Sequence, residues 1–139
     1  MIYETPKTIR FSHCDPAGIV FYPRYAELCS EVVEDWFADA IGIGFAELHE
    51  ALRLGIPAVR LEIEYLEPSR LGEVLSFRLA VTDIGNSSFA VNIAAVKDGR
   101  TRVRIRLKSV LISLETMRPV PFDDAWRERL AAYLDDAPE

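Results

Sequence analysis

The sequence is poor in cysteine and histidine, with two of each in 139 residues. Cys14 and Cys29 are too few for a disulfide framework and fit no zinc spacing, which makes a reducing compartment the default. His13, Cys14 and His49 also lack the spacing of metal ligands. The sequence therefore predicts a cytoplasmic protein without a metal site.

Long apolar runs and a surplus of positive charge are absent too. Charged residues interrupt every apolar stretch before it reaches the roughly 18 residues of a membrane span. The first eleven residues lack the apolar core of a signal peptide. Lys and Arg number 16 against 22 Asp and Glu, a formal net charge of −6, which disfavours non-specific binding to nucleic acid. We expect neither a membrane nor a nucleic acid as a partner.

What is present is the composition of one globular domain, 50% hydrophobic and 27% charged, so we expect residues 1–139 to form a single domain. Apolar residues at helical spacing predict a long helix from Pro23 to about residue 40, ended by Gly42 and Gly44, and a shorter helix over 45–54. The period then changes to two and predicts strands over residues 59–65, 73–84, 88–97 and 100–114.

A weakly alternating first strand over 5–12 and a terminal helix after Asp123 complete the pattern. The fold class is therefore α+β, with an antiparallel sheet of about five strands wrapped around one long central helix. One helix leaves apolar sheet surface to be covered, so we expect the chain to assemble with further copies of itself.

The segment HCDPAGIVFYP, which ends where the long helix begins, has residues suited to acyl transfer. Asp15 stands in a turn, and the free N–H groups and positive dipole end of the helix point back toward that turn. Such a place stabilises an oxyanion, with Asp15 as nucleophile or as general base for water. The alternative is that Asp15 only caps the turn.

The run FSHCDPAGIVFYPRY, from Phe11 to Tyr25, resembles the signature of the 4-hydroxybenzoyl-CoA thioesterase family, which has the hotdog fold. The stretch Gly55–Gly72 is similar to the family's second strand and turn. This resemblance implies a hotdog fold, hydrolysis of an aroyl- or short-chain acyl-CoA to free acid and CoA, and no cofactor. It also implies a site between two subunits of a homodimer or of a homotetramer built as a dimer of dimers.

Carried over by position, Asp15 is the catalytic carboxylate, and the backbone N–H of Tyr22 is the donor to the thioester carbonyl. Further residues of these two stretches are expected to contact the substrate: His13, Gly18, Ile19, Val20, Tyr25 and Val59. For His13, packing within the turn is the alternative interpretation.

The phosphates of CoA need polar or cationic partners. The turn between the third and fourth predicted strands offers Ser87 and Ser88 but no cation. Five cations alternate over residues 100–108 and share one sheet face, so Arg102 and Arg104 are predicted to bind CoA. In the alternative, this row is a solvated or dimer-facing surface, cross-paired with Glu62, Glu64 or Glu73.

Two other functions on the same fold stay open. A hotdog hydratase or dehydratase needs a general base, usually His, and a second acid across the pocket, which residues 13–15 do not reproduce. A non-catalytic acyl-CoA-binding module would keep the pocket but would have no use for Asp15.

Overall fold

The computed structural model describes residues 1–135 and 138. Its secondary-structure elements follow the order β1 (Tyr3–Thr8), a 3-10 turn (Phe11–His13), α1 (Arg24–Trp36), two π-helical turns (Phe37–Ile41 and Glu47–Ala51), β2 (Leu54–Gly55), β3 (Ala58–Tyr65), β4 (Val74–Ile84), β5 (Ser88–Lys97), β6 (Arg100–Val110), β7 (Ile112–Ser113) and α2 (Asp124–Ala131). Five strands form an antiparallel sheet in the order β1-β4-β5-β6-β3, and β2 pairs with β7.

The long helix packs on the inner face of this sheet. Its buried residues recur every three or four positions, as an amphipathic helix requires: Tyr25, Leu28, Cys29, Val32, Val33 and Trp36. In β4, Leu75, Phe77 and Leu79 alternate with more exposed residues and are fully buried. These residues share one hydrophobic core, so the predicted α+β architecture is confirmed.

The helical segment ends as its glycines predict. After Trp36 the helix continues as a π-helical turn to Ile41. Gly42 then adopts a left-handed backbone with φ +84°, and its N–H donates to the Phe37 carbonyl at 2.8 Å. A residue with a side chain would be strained at this φ, so glycine suits the position.

Three element boundaries differ from the predicted ones. The first strand is Tyr3–Thr8 rather than 5–12, since residues 11–13 form a 3-10 turn. The strand predicted over 100–114 breaks after Val110, because the chain then leaves the large sheet and pairs with β2. The helix predicted over 45–54 is a π-helical turn that ends at Ala51. Each change follows from a non-local pairing or a short irregular helix, which periodicity does not reveal.

The two edges of the sheet differ in character. β1 carries Pro6 and Lys7, which disfavour pairing with another chain. β3 carries neither and exposes Val59, Leu61 and Tyr65, with 57% of Val59 accessible. A sheet edge with unpaired backbone groups and exposed apolar side chains suits pairing with another strand. Assembly itself stays a prediction.

An ion pair at the start of β4 should make stability depend on pH. Hydrogen bonds from Arg102, at 3.0 and 3.1 Å, and from the Arg70 N–H lower the pKa of Glu73 from 4.5 to about 2. Because this pKa is lower in the folded chain, ionised Glu73 stabilises the fold above about pH 4.5, and that contribution is lost as the pH falls toward 2. We expect Glu73→Gln to lower the free energy of unfolding by about 1–3 kcal/mol at pH 7, with a smaller difference at pH 3.

Thermal unfolding followed by circular dichroism at both pH values measures this difference. Glu27→Gln is the matched control, because Glu27 and its partner Arg24 are largely exposed and such pairs contribute little. Equal effects of the two substitutions at pH 7 would show that the Arg102–Glu73 pair has no special role.

Candidate active site

Residues 13–21 form a narrow hairpin that positions Asp15. The N–H of Phe21 donates to the carbonyl of His13 at 2.9 Å, and the N–H of Gly18 donates to the carbonyl of Asp15 at 3.0 Å. Gly18 has φ +78°, a left-handed conformation that favours glycine. The turn expected from the Asp-Pro-Ala-Gly sequence is therefore present.

The hairpin lies on the segment that joins β3 to β4. The Val20 N–H donates to the Ser69 carbonyl at 2.9 Å, and the fully buried Ser69 accepts a hydrogen bond from Arg102 through its hydroxyl at 3.1 Å. The same guanidinium binds Glu73, and only 13% of the Arg102 side chain is exposed. Arg102 therefore supports the segment beneath the hairpin.

One oxygen of the Asp15 carboxylate is fixed and the other is available. Oδ1 accepts the Ala17 N–H at 2.9 Å, which closes an Asx turn. Within residues 1–135, Oδ2 has no protein donor. The side chain is partly exposed. Asp15 is thus an oriented carboxylate with a free oxygen that can accept a proton or attack an electrophile.

The hairpin leads directly into α1. The N–H groups of Arg24, Tyr25 and Ala26 each donate to the carbonyl three residues earlier, at 2.9 to 3.3 Å. Pro23 has no N–H, and in the described part of the chain no acceptor contacts the N–H of Tyr22. This amide is therefore a free donor at the positive end of the helix dipole, where an anionic oxygen is stabilised.

The aromatic residues at this end of α1 occupy different layers. Tyr22 is 64% exposed, and its carbonyl accepts the Tyr65 hydroxyl at 3.0 Å. Tyr25 is 3% exposed, with its ring 5.8 Å from that of Tyr65, and burial raises the pKa of its hydroxyl. Tyr22 therefore lies at the surface of the site, whereas Tyr25, predicted to contact substrate, forms part of the core beneath it.

The imidazole of His13 contacts the turn that precedes the hairpin. Its Nδ1 accepts the Arg10 N–H at 2.8 Å, which closes the 3-10 turn before the hairpin. This contact matches the alternative interpretation of His13 as a turn-packing residue. In the hairpin itself, Ile19 is half-buried and Val20 is buried.

Val59, Ser87 and Ser88 lie at the other end of the sheet from Asp15. The hairpin lies on the segment that follows Tyr65, at the C-terminal end of β3, whereas Val59 is near the N-terminal end of that strand. Ser88 pairs with Val110, next to that same end. The 8 residues of β3 extend over about 26 Å. Within one chain, these three residues do not converge with Asp15.

The cation row lies on the outer face of the sheet, as its alternation predicts. Arg104 contacts Glu64 at 3.0 Å with both side chains well exposed, and Arg100 contacts Glu67. Together with the Arg102–Glu73 pair, these contacts match the alternative of cross-paired charges. CoA binding by Arg102 and Arg104 stays a prediction.

A cavity of about 480 Å³ lies beside α1, between the helix, the second π-helical turn and the strands β2, β3, β6 and β7. Its walls include Ala26, Ser30 and Val33, which lie on one face of α1. His49 is half-buried and also lines this cavity. No periodicity could show this, because the walls come from segments distant in sequence.

Cys29 lines the cavity as well, but burial raises the pKa of its thiol to about 12, so it is not a nucleophile at neutral pH. In the described residues, no group of three or more His, Cys, Asp or Glu side chains is arranged to hold a metal ion. None of the described helices has both the length and the apolar character needed to cross a membrane.

Comparison with known proteins agrees with this architecture. A 1,4-dihydroxy-2-naphthoyl-CoA hydrolase of Thermosynechococcus vestitus is 26% identical over 134 residues, which cover 96% of this chain and 88% of that protein. The crystal structure of a 1,4-dihydroxy-2-naphthoyl-CoA thioesterase from Synechocystis matches with a TM-score of 0.83 at 18% identity, covering 94% of this chain and 96% of that one.

The structure of a gentisyl-coenzyme A thioesterase matches with a TM-score of 0.80 at 23% identity, covering 94% of this chain and 99% of that one. These likenesses confirm the predicted hotdog fold. The family profile described as the thioesterase-like superfamily matches residues 9–130. Since that match covers most of the sequence, the chain belongs to the thioesterase-like superfamily.

Proposed function

We propose that the protein hydrolyses aroyl-CoA thioesters to the free acid and CoA, with Asp15 as the catalytic carboxylate. Membership of the superfamily gives the class, a thioester hydrolase. The observation that carries the proposal is the hairpin that holds a free oxygen of Asp15 close in sequence to the unpaired N–H of Tyr22. The aroyl class is supported by the naphthoyl-CoA and gentisyl-CoA thioesterases among the similar proteins.

In the proposed reaction the Tyr22 N–H donates to the thioester carbonyl oxygen, and the dipole of α1 stabilises the negative charge that develops there. As general base, Asp15 takes a proton from water while the water oxygen bonds to the carbonyl carbon. The C–S bond then breaks, and the CoA thiolate receives the proton. As nucleophile, Asp15 bonds to the carbonyl carbon and displaces CoA as its thiolate, which leaves a mixed anhydride. Water then cleaves the anhydride to the free acid and Asp15, and the proton it releases goes to the thiolate. Both routes give one acid and one thiol.

We also propose that the functional unit is a homodimer joined along β3. Two β3 edges paired antiparallel would place the Tyr65 end of one strand beside the Ala58 end of the other. Asp15 of one copy would then lie near Val59 and the Ser87–Ser88 turn of its partner, which do not meet it within one chain. The exposed apolar residues of β3 support this arrangement. A further pairing of dimers into a tetramer stays a prediction.

Removal of the Asp15 charge should abolish most of the turnover. Asp15→Asn keeps the shape of the side chain but provides neither a base nor a nucleophile, so we expect kcat to fall on the order of 10²-fold or more. CoA affinity should change little, because the carboxylate acts on the thioester. Thiol release from 2-naphthoyl-CoA measures kcat, and calorimetry measures CoA binding.

Asp98→Asn is the matched control for this variant. Asp98 is an exposed turn residue with φ +52°, between β5 and β6, and asparagine tolerates that conformation. A kcat of Asp15→Asn close to that of Asp98→Asn would remove Asp15 from the mechanism. Binding of aroyl-CoA without turnover by the unmodified protein would favour the non-catalytic module.

Charge on the β3 edge should disrupt the dimer. Multi-angle light scattering of the unmodified protein at micromolar concentration should give at least twice the 15.7 kDa chain mass. Val59→Lys should shift that mass toward the monomer and lower kcat/KM on the order of tenfold or more, since the side chain is exposed in the single chain but covered in the proposed dimer.

Val74→Lys provides the comparison, because Val74 is similarly exposed but lies on β4, which is paired on both sides. If the unmodified protein has the mass of a monomer at a concentration at which it hydrolyses its substrate, the active site is not shared between two copies.

A further inference from the structure

We propose that His49 determines acyl-group specificity: its Nε2 accepts a hydrogen bond from a hydroxyl group on an aromatic acyl ring held in the cavity beside α1. This inference rests on the proposed function and assigns the cavity to the acyl part of the substrate.

The first step concerns the protonation of the imidazole. His49 Nδ1 lies 2.7 Å from the carbonyl oxygen of Phe45. A carbonyl oxygen only accepts, so Nδ1 carries the proton, and in the neutral ring Nε2 is an acceptor. The Phe45 ring lies edge-on against the imidazole, with centroids 5.2 Å apart at 70°. The local turn therefore fixes both the tautomer and the ring orientation.

The second step concerns what the cavity can hold. Its volume of about 480 Å³ is in the range of small-molecule sites. None of the described residues that line it is an Asp, Glu, Lys or Arg, and the walls are mainly aliphatic and aromatic. The polar side chains of the wall are those of Ser30, Ser109 and His49, which carry no full charge to balance an ion. A charged group would therefore lose hydration there, whereas a neutral ring would be accommodated. A ring buried against His49 also excludes water from Nε2. That nitrogen then has no hydrogen-bond donor unless the ring itself carries one.

The third step concerns the position of the cavity relative to the reacting carbonyl. The wall residues on α1 begin at Ala26, four residues after Tyr22, and reach Val33 about 10 Å further along the helix. A thioester with its carbonyl at the Tyr22 N–H can therefore extend its acyl ring along this face of α1. His49 lines the same cavity from the second π-helical turn, where a substituent on that ring can meet it.

The test uses two aroyl-CoA substrates that differ by one hydroxyl group: 2-naphthoyl-CoA and a ring-hydroxylated 2-naphthoyl-CoA. We expect the unmodified protein to prefer the hydroxylated substrate by at least tenfold in kcat/KM. His49→Phe keeps an aromatic ring against Phe45 but removes the acceptor. In this variant the kcat/KM values for the two substrates should be about equal. The ratio of the two kcat/KM values, and not either value alone, is the quantity that tests His49.

Glu50→Gln changes an exposed neighbour in the same turn and should keep the original preference. If His49→Phe retains the preference of the unmodified protein, the assignment of His49 is wrong while the hydrolase proposal stands. If the unmodified protein releases no thiol from either substrate, the proposed function is wrong.

A binding measurement tests His49 without turnover. Titration with 2-naphthol and with 2-methylnaphthalene compares a hydroxyl with a methyl group of similar size. We expect the unmodified protein to bind 2-naphthol at least tenfold more tightly than 2-methylnaphthalene, and His49→Phe to lose this difference while its circular dichroism spectrum is unchanged. Equal affinities of the unmodified protein for the two compounds would overturn the inference.

Discussion

Trp36 and Phe37, at the C-terminal end of the helical segment, are completely buried, and the Trp36 ring lies 6.1 Å from Phe89 on β5 and 5.7 Å from Tyr133. This contact between helix and sheet fixes the depth and rotation of α1, on which both functional features depend. At the N-terminal end the helix presents the free N–H of Tyr22. Along its side it forms one wall of the cavity. A rigid hydrophobic core thus sets the distance between a polar donor and an apolar pocket.

The Arg102–Glu73 pair contributes a second, smaller constraint. Glu73 directly precedes β4, and Arg102 reaches from β6 to bind it and the Ser69 hydroxyl. The segment so fixed carries the hairpin that presents Asp15. Alternation along β6 predicted the face on which Arg102 lies, and Glu73 was among the three carboxylates named as possible partners of the cation row. The contact with the Ser69 hydroxyl was not predicted, because it depends on strand register and on a loop that has no period of its own.

The parts of the site that were predicted from sequence have local causes. Asp15, Gly18 and Gly42 adopt their conformations through turn and cap chemistry within a few residues. The cavity has no such origin, because its walls meet only after β2 pairs with β7 and the second π-helical turn folds against α1. His49 therefore had no distinguishing sequence signal. Val59 was grouped with Asp15 by resemblance, and Ser88 was assigned to the CoA phosphates, although the sheet separates both from Asp15 within one chain.

The proposed reaction makes different demands on the two ends of its substrate. The acyl ring is neutral and enters a cavity whose described walls carry no Asp, Glu, Lys or Arg. The phosphates of CoA are anionic, and the chain has a net charge of −6, so long-range attraction does not assist their binding. Discrimination between substrates therefore depends on the ring and on the polar atoms that face it. The polar side chains in this mainly apolar wall are few, namely Ser30, Ser109 and His49. An oriented acceptor such as His49 Nε2 has a large effect there, because a buried acceptor that lacks its donor loses a hydrogen bond.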